Sequence, residues 1–126
     1  MIINDPATLA EVEAAFARYE TALVGNDVEA LDAFFWDDLR AIRYGVAENL
    51  YGHAEIAAFR AARPSAGLAR TLSRTVVTTF GLDFATASTL FRRDASGAKI
   101  GRQMQTWARI DGQWRIVAAH VSLVED

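Results

Sequence analysis

The stretch that decides the fold is Lys99–Val124, KIGRQMQTWARIDGQWRIVAAHVSLV. Two long runs rich in aromatic and β-branched residues flank Asp111-Gly112. Asp-Gly between apolar runs is a strong signal for a tight hairpin turn. The spacing therefore predicts two antiparallel strands, Lys99–Ile110 and Gln113–Val124. Immediately upstream, Arg70–Phe80 and Asp83–Arg93 read the same way, broken by Gly81 and by a turn at Asp94–Gly97. The second half of the chain is thus expected to be a four-stranded antiparallel meander.

The first half has a different period. Leu9, Val12, Phe16, Tyr19 and Leu23 recur at three- and four-residue steps, the signature of one buried helical face. Asp5 is a natural N-cap for this helix, Pro6 suits its first position, and Gly25 is expected to end it. Asn26 is expected to cap a second helix, with Glu29 three residues on completing a capping box. A short strand is predicted over Leu39–Tyr44, then a turn-rich stretch from Gly45 to Gly52. A third helix is expected from His53 to Arg63, stopped by Pro64. Helices followed by strands read as an α+β fold, with three N-terminal helices packed on a strongly curved antiparallel sheet.

Composition narrows the possibilities. The chain has 126 residues, 52% of them hydrophobic, which suits one domain over residues 1–126 with a real core. No run is long and apolar enough for a membrane span, and the N-terminus does not read as a signal peptide. There is no cysteine, so disulfides and thiolate metal sites are excluded. A net charge of −3 disfavours nucleic acid. No membrane partner is expected, and a cytoplasmic setting is. Twelve of the thirteen cations are arginine. Either genome composition sets that bias, or some of these planar forks clamp carboxylates.

Four residues stand out as candidates. Tyr19 lies on the apolar stripe of helix one, where its phenol is either bonded inside the core or presented to a pocket as an acid or donor. Arg43 shares a strand face with Leu39 and Ala41. Such an inward cation must be paired, either by Glu48 along the chain or by a substrate carboxylate. His120 shares one face of the last strand with Trp114, Ile116, Ala118 and Ser122, and is read as a core histidine or a substrate-positioning group. Gln105, beside Gln103, Trp107 and Arg109, offers an amide to a pocket or to a subunit interface. Arg60 and Arg63 stand either at the mouth of the pocket or on a solvated helix end. No zinc motif, nucleophile elbow or phosphate loop is present in the sequence, and neither metal nor cofactor is expected.

The element order and the ending RQMQTWARIDGQWRIVAAHVS resemble the NTF2-like (SnoaL-like) superfamily of cone-shaped folds. Within it, RYGVAENLYGHAEIAAFRAAR (43–63), GRQMQTW and WRIVAAHVS are similar to the AtzH-like group. The resemblance implies a homodimer packed through the sheets. It also implies a cofactor-free, decarboxylating amidohydrolase acting on a small carboxylated urea such as 1,3-dicarboxyurea, in cyanuric acid breakdown. The catalytic pair it implies, a helix-one Tyr and a first-strand Arg, falls on Tyr19 and Arg43. A small anion is the expected partner. Two other readings remain open: a small-anion binding module without catalysis, and an isomerase or cyclase, which would need an inward carboxylate base.

Overall fold

In the computed structural model, which describes residues 1–94 and 97–126, Asp5 starts helix α1 (Pro6–Val24). Its carboxylate accepts from the Thr8 N–H at 3.0 Å and the Thr8 hydroxyl at 2.8 Å. The expected stripe is buried: Val12, Phe16, Tyr19 and Leu23 face the sheet, with Ala15 and Ala22 between them. Asn26 does not cap the next helix. It takes a left-handed conformation (φ 51°) that turns the chain out of α1, leaving Asp27 to cap α2 (Val28–Phe34). The Asp27 carboxylate accepts from the Ala30 N–H at 3.2 Å, so the cap sits one residue later than the capping-box spacing suggests.

The short strand β1 spans only Ile42–Tyr44. Asp38 takes both the backbone N–H and the guanidinium of Arg40, which bends the chain there and leaves Leu39 exposed. Within the turn-rich segment a second short strand, β2 (Asn49–Tyr51), folds back on β1 as a hairpin. Helix α3 (His53–Ala62) follows. The meander is then formed by β3 (Thr71–Phe80), β4 (Phe84–Arg92), β5 (Lys99–Ile110) and β6 (Gln113–Glu125). Part of the expected turn Asp94–Gly97 lies outside the described residues. The sheet order is β2-β1-β6-β5-β4-β3, with β1 parallel to β6 and every other pair antiparallel. This is the α+β, NTF2-like arrangement of three helices on a curved sheet.

Two bulges shape that sheet. In β6, Trp107 pairs with Ile116 but Thr106 pairs with Ala118, so Val117 is an extra residue. A bulge of this kind bends its strand and resets which side chains face inward. Trp114 and Ile116 are buried before it, and Ala119 is buried after it. His120 therefore faces outward, although strict alternation groups it with Trp114. In β3 the register shifts between Ser73 and Val76, with Arg74 in the left-handed region (φ 52°).

The core lies between the helices and the inner sheet face. Trp107, Phe35, Leu31 and Ile116 are almost wholly buried, and Tyr19 meets Phe34 and Trp107 edge-on with centroids 5.8 and 6.5 Å apart. Each such side chain contributes about 1.5–3 kcal/mol through burial. Ala85 and Ala87 on β4 are wholly buried in the same core. No helix among the described residues is long and apolar enough to cross a membrane.

One contact on β4 and β5 is unusually demanding. Gly101 pairs with Phe91, and a Cβ at position 101 would overlap the Phe91 ring. Gly101→Ala is therefore expected to destabilise the fold by about 1–3 kcal/mol through overpacking. Urea denaturation would measure this as a lower midpoint at unchanged slope.

Candidate functional site

The inner face of the sheet, α1 and the end of α3 enclose a cavity of about 240 Å³. That is room for roughly eight waters at ~30 Å³ each, or one small organic molecule. Its wall is apolar at Leu23, Phe59, Leu68 and Val121, and cationic at Arg43, Arg63, Arg70 and Arg93. Tyr19, Glu48 and Gln103 complete it.

Tyr19 is 5% exposed and lines this cavity. Its ring is fixed edge-on against Phe34, Phe35 and Trp107, which leaves the hydroxyl as the polar end presented to the cavity. Arg43 faces inward, because on β1 it pairs with the inner residue Ala119 of β6. Its Nη1 donates to Glu48 Oε1 at 2.8 Å, and its guanidinium lies 5.2 Å from the centroid of Phe59. The other Glu48 oxygen accepts from the Ala47 N–H at 3.1 Å. Gly45 makes this pair possible, since a Cβ there would collide with the Glu48 carboxylate and reach within 2.9 Å of Arg43 Nη1.

The other cations differ in how they are compensated. Arg70, 1% exposed at its side chain, is held by Glu20 through a two-pronged pair of 2.9 and 2.6 Å. It also donates to Gln103 Oε1 at 2.9 Å. Arg63 has only a long contact of 3.4 Å from Nη2 to Asn26 Oδ1, and its buried Nε meets no acceptor among the described residues. Burial lowers the Arg63 pKa to about 10, and the neighbouring charges of Arg60, Arg43 and Arg93 push the same way. Arg93 stacks 4.8 Å from the centroid of Phe91, and its buried Nε is also without an acceptor. Its pKa is lowered by burial first and by the Arg70 charge second. Two guanidinium charges, Arg63 and Arg93, therefore exceed the carboxylates Glu48 and Glu20 that pair with Arg43 and Arg70.

The sequence-derived candidates separate. Tyr19 and Arg43 share the cavity. Gln105 lies on the inner face but one row deeper. It is buried and accepts from Trp107 Nε1 at 3.1 Å, while Gln103 takes its expected place in the wall. His120 is outside the cavity, because the Val117 bulge turns it to the outer face, where it stacks edge-on with Tyr44 at 6.2 Å. Arg60 guards no mouth and is not solvated. It is 2% exposed, lies over Phe35 and stands 3.7 Å from Asp32. Arg93 and Gln103 carried a usable signal. Ala85, Ala87, Thr89 and Phe91 alternate inward on β4, and the same period of two brings Arg93 to that face.

Comparison with known proteins now bears on this cavity. The AtzH-like family model matches residues 1–126. The chain belongs to the AtzH-like family. A protein of unknown function from Pectobacterium atrosepticum SCRI1043, of the DUF3225 family, is 61% identical over 98% of this chain and 95% of its own, with a TM-score of 0.94. A cystatin-like fold protein from Burkholderia xenovorans LB400 is 52% identical over 100% of this chain and 98% of its own, with a TM-score of 0.95. An NTF2-like protein of unknown function from Pseudomonas putida KT2440 shares the fold at 22% identity, over 92% of this chain and 86% of its own, with a TM-score of 0.78. No curated protein matches the chain.

The lowered Arg63 pKa carries a stability consequence. A cation whose pKa falls on folding costs stability wherever it is protonated, and that cost fades as pH rises through about 10. Arg63→Met is thus expected to raise the melting temperature by roughly 2–6 °C at pH 7, the shift that ~1 kcal/mol produces in a domain of this size. The gain should shrink above pH 10. A thermal melt series from pH 7 to 11 measures both.

Proposed function

We propose that this protein is a cofactor-free hydrolase that releases carbon dioxide from a small carboxylated urea or amide, 1,3-dicarboxyurea being the substrate that the family resemblance suggests. The observation that carries the reading is the position of Tyr19 in a small cavity whose wall holds two guanidinium groups, Arg63 and Arg93, with no carboxylate partner among the described residues. Positive groups in an enclosed space hold a carboxylated substrate by charge-assisted hydrogen bonds. The bond between nitrogen and the carboxyl carbon then breaks. The electron pair stays on nitrogen, which takes the Tyr19 proton, and carbon dioxide leaves. Water returns a proton to the phenolate and leaves as hydroxide, which combines with the carbon dioxide as hydrogencarbonate; until then the surrounding guanidinium groups stabilise the phenolate.

Of the two partners the sequence left open for Arg43, Glu48 is the one it meets. Because Glu48 already occupies it, Arg43 forms a closed pair in the wall rather than a free anion receptor. The same pair bears on the isomerase reading. Glu48 is an inward carboxylate of the kind such an enzyme needs, but its two oxygens are engaged by Arg43 and the Ala47 N–H. A binding module without catalysis remains the second reading, since the Glu48 pair accounts for Arg43 with no reaction. A cysteine-free chain acting on a polar metabolite fits a cytoplasmic setting.

The first assay follows carbon dioxide and ammonia from 1,3-dicarboxyurea, allophanate and biuret. Tyr19→Phe should lower turnover by at least ~100-fold, the lower end for a lost acid–base group. A melting temperature that rises with added carboxylate, without turnover, would favour the binding module instead.

A second copy of the chain is the proposed occupant of the outer sheet face. Val76, Ser88, Met104, His120 and Tyr44 form one row across five strands there, and Val76 and Met104 are well exposed. Placing a charge in this row with Met104→Asp should convert a dimer to a monomer, read by light scattering. A monomeric unaltered protein would refute the dimer.

A further inference from the structure

We infer that Arg63 and Arg93, together with the free amide of Gln103, form the subsite that receives the substrate carboxylate, and that the neutral Arg43–Glu48 pair stands outside it. The inference rests on the reading of the cavity as an active site and assigns its parts.

Three polar groups in this wall lack an acceptor. Arg63 Nε, Arg93 Nε and Gln103 Nε2 are all buried donors without a partner among the described residues. Buried donors are normally paired, and leaving one unmade is costly. Here the three belong to residues that line one cavity. Gln103 is 4% exposed, and its orientation is set from behind. Its Oε1 accepts from Arg70, which leaves the NH₂ end as the free end. Arg70 is itself held by Glu20 and so works as the backing for that amide.

Charge separates these residues from Arg43. Arg43 with Glu48 is a neutral unit, as is Arg70 with Glu20. Arg63 and Arg93 have no carboxylate partner among the described residues. An anion entering the cavity gains most beside the two uncompensated cations, where it also satisfies the orphaned donors. Tyr19 lines the same cavity as Arg63 and Arg93, so an anion held there shares that space with the proposed acid.

Malonate is a suitable probe, being a small dianion without the nitrogen–carboxyl bond that the proposed reaction breaks. Its affinity would be measured by titration calorimetry. Arg63→Met and Arg93→Met should each weaken it by about 10- to 100-fold, the loss expected for a charged hydrogen-bonding partner. Arg63→Lys and Arg93→Lys should recover part of that loss. The test for Arg43 removes both members of its pair, since Arg43→Met alone would leave Glu48 to repel the probe. The Arg43→Met/Glu48→Met double variant keeps the cavity charge and should retain malonate affinity within about threefold. Melting temperatures establish that each variant is folded.

Unchanged affinity in folded Arg63→Met or Arg93→Met overturns the inference. So does loss of binding in the folded double variant, or no saturable binding by the unaltered protein. The hydrolase reading fails separately. If malonate binds through Arg63 and Arg93 but no carboxylated urea is turned over, the subsite stands and the reaction falls. If turnover is present and KM is unchanged in the Arg63 and Arg93 variants, the reaction stands and the subsite falls.

Discussion

The last strand has to serve two compartments, and it does so because one of its residues is left out of register. Before Val117, Trp114 and Ile116 close the core beneath α1. After it, Ala119 packs beside Arg43 and Val121 forms part of the cavity wall. The extra residue bends β6 and increases its twist. The adjoining strands follow that curvature because β1 and β5 both pair with β6. The separation between a packed end and an open end, and the outward turn of His120, both depend on this one irregularity.

Buried charge is the second constraint. A guanidinium removed from water without a counter-charge is strongly unfavourable, and a pair regains that cost only when its geometry is good. The chain meets the constraint for Arg70 with Glu20, and for Arg43 with Glu48. It relaxes the constraint at Arg63 and Arg93, where Phe91 stacks on Arg93 and neither cation has a carboxylate partner among the described residues. Such an imbalance is tolerated when function needs a poised site, at a cost in stability met by the rest of the core. The large aromatic cluster of Tyr19, Phe34, Phe35 and Trp107 supplies that reserve on the opposite side of the same phenol.

Much of this was legible in the amino-acid sequence, for reasons that differ by element. The buried face of α1 spans five turns, and the four long strands alternate over nine residues or more, so their periods dominate local noise. β2 was hidden because three residues cannot display a period and lie among turn formers. The cap of α2 was misread by one residue, since Asn and Asp both suit caps and only Asn26 was needed at positive φ. Tyr19 and Arg43 were legible as polar residues on apolar faces. His120 was not, because a bulge shifts parity without altering composition. Of the charge balance only the Arg43–Glu48 pair was legible, its members lying close along the chain. Glu20 and Arg70 are fifty positions apart, and only the folded topology joins them.

The cavity arginines come from separate places in the chain: the end of α3, the approach to β3, the exit of β4 and the first hairpin. In the unfolded chain they are far apart and solvated, so their mutual repulsion exists only after folding. An anion that fills the cavity therefore acts on the folded state alone. Proteases in a cell draw on the small unfolded fraction, and a bound anion shrinks that fraction. The steady-state abundance of this protein would then rise with the supply of any anion that fits the cavity, with no regulator involved.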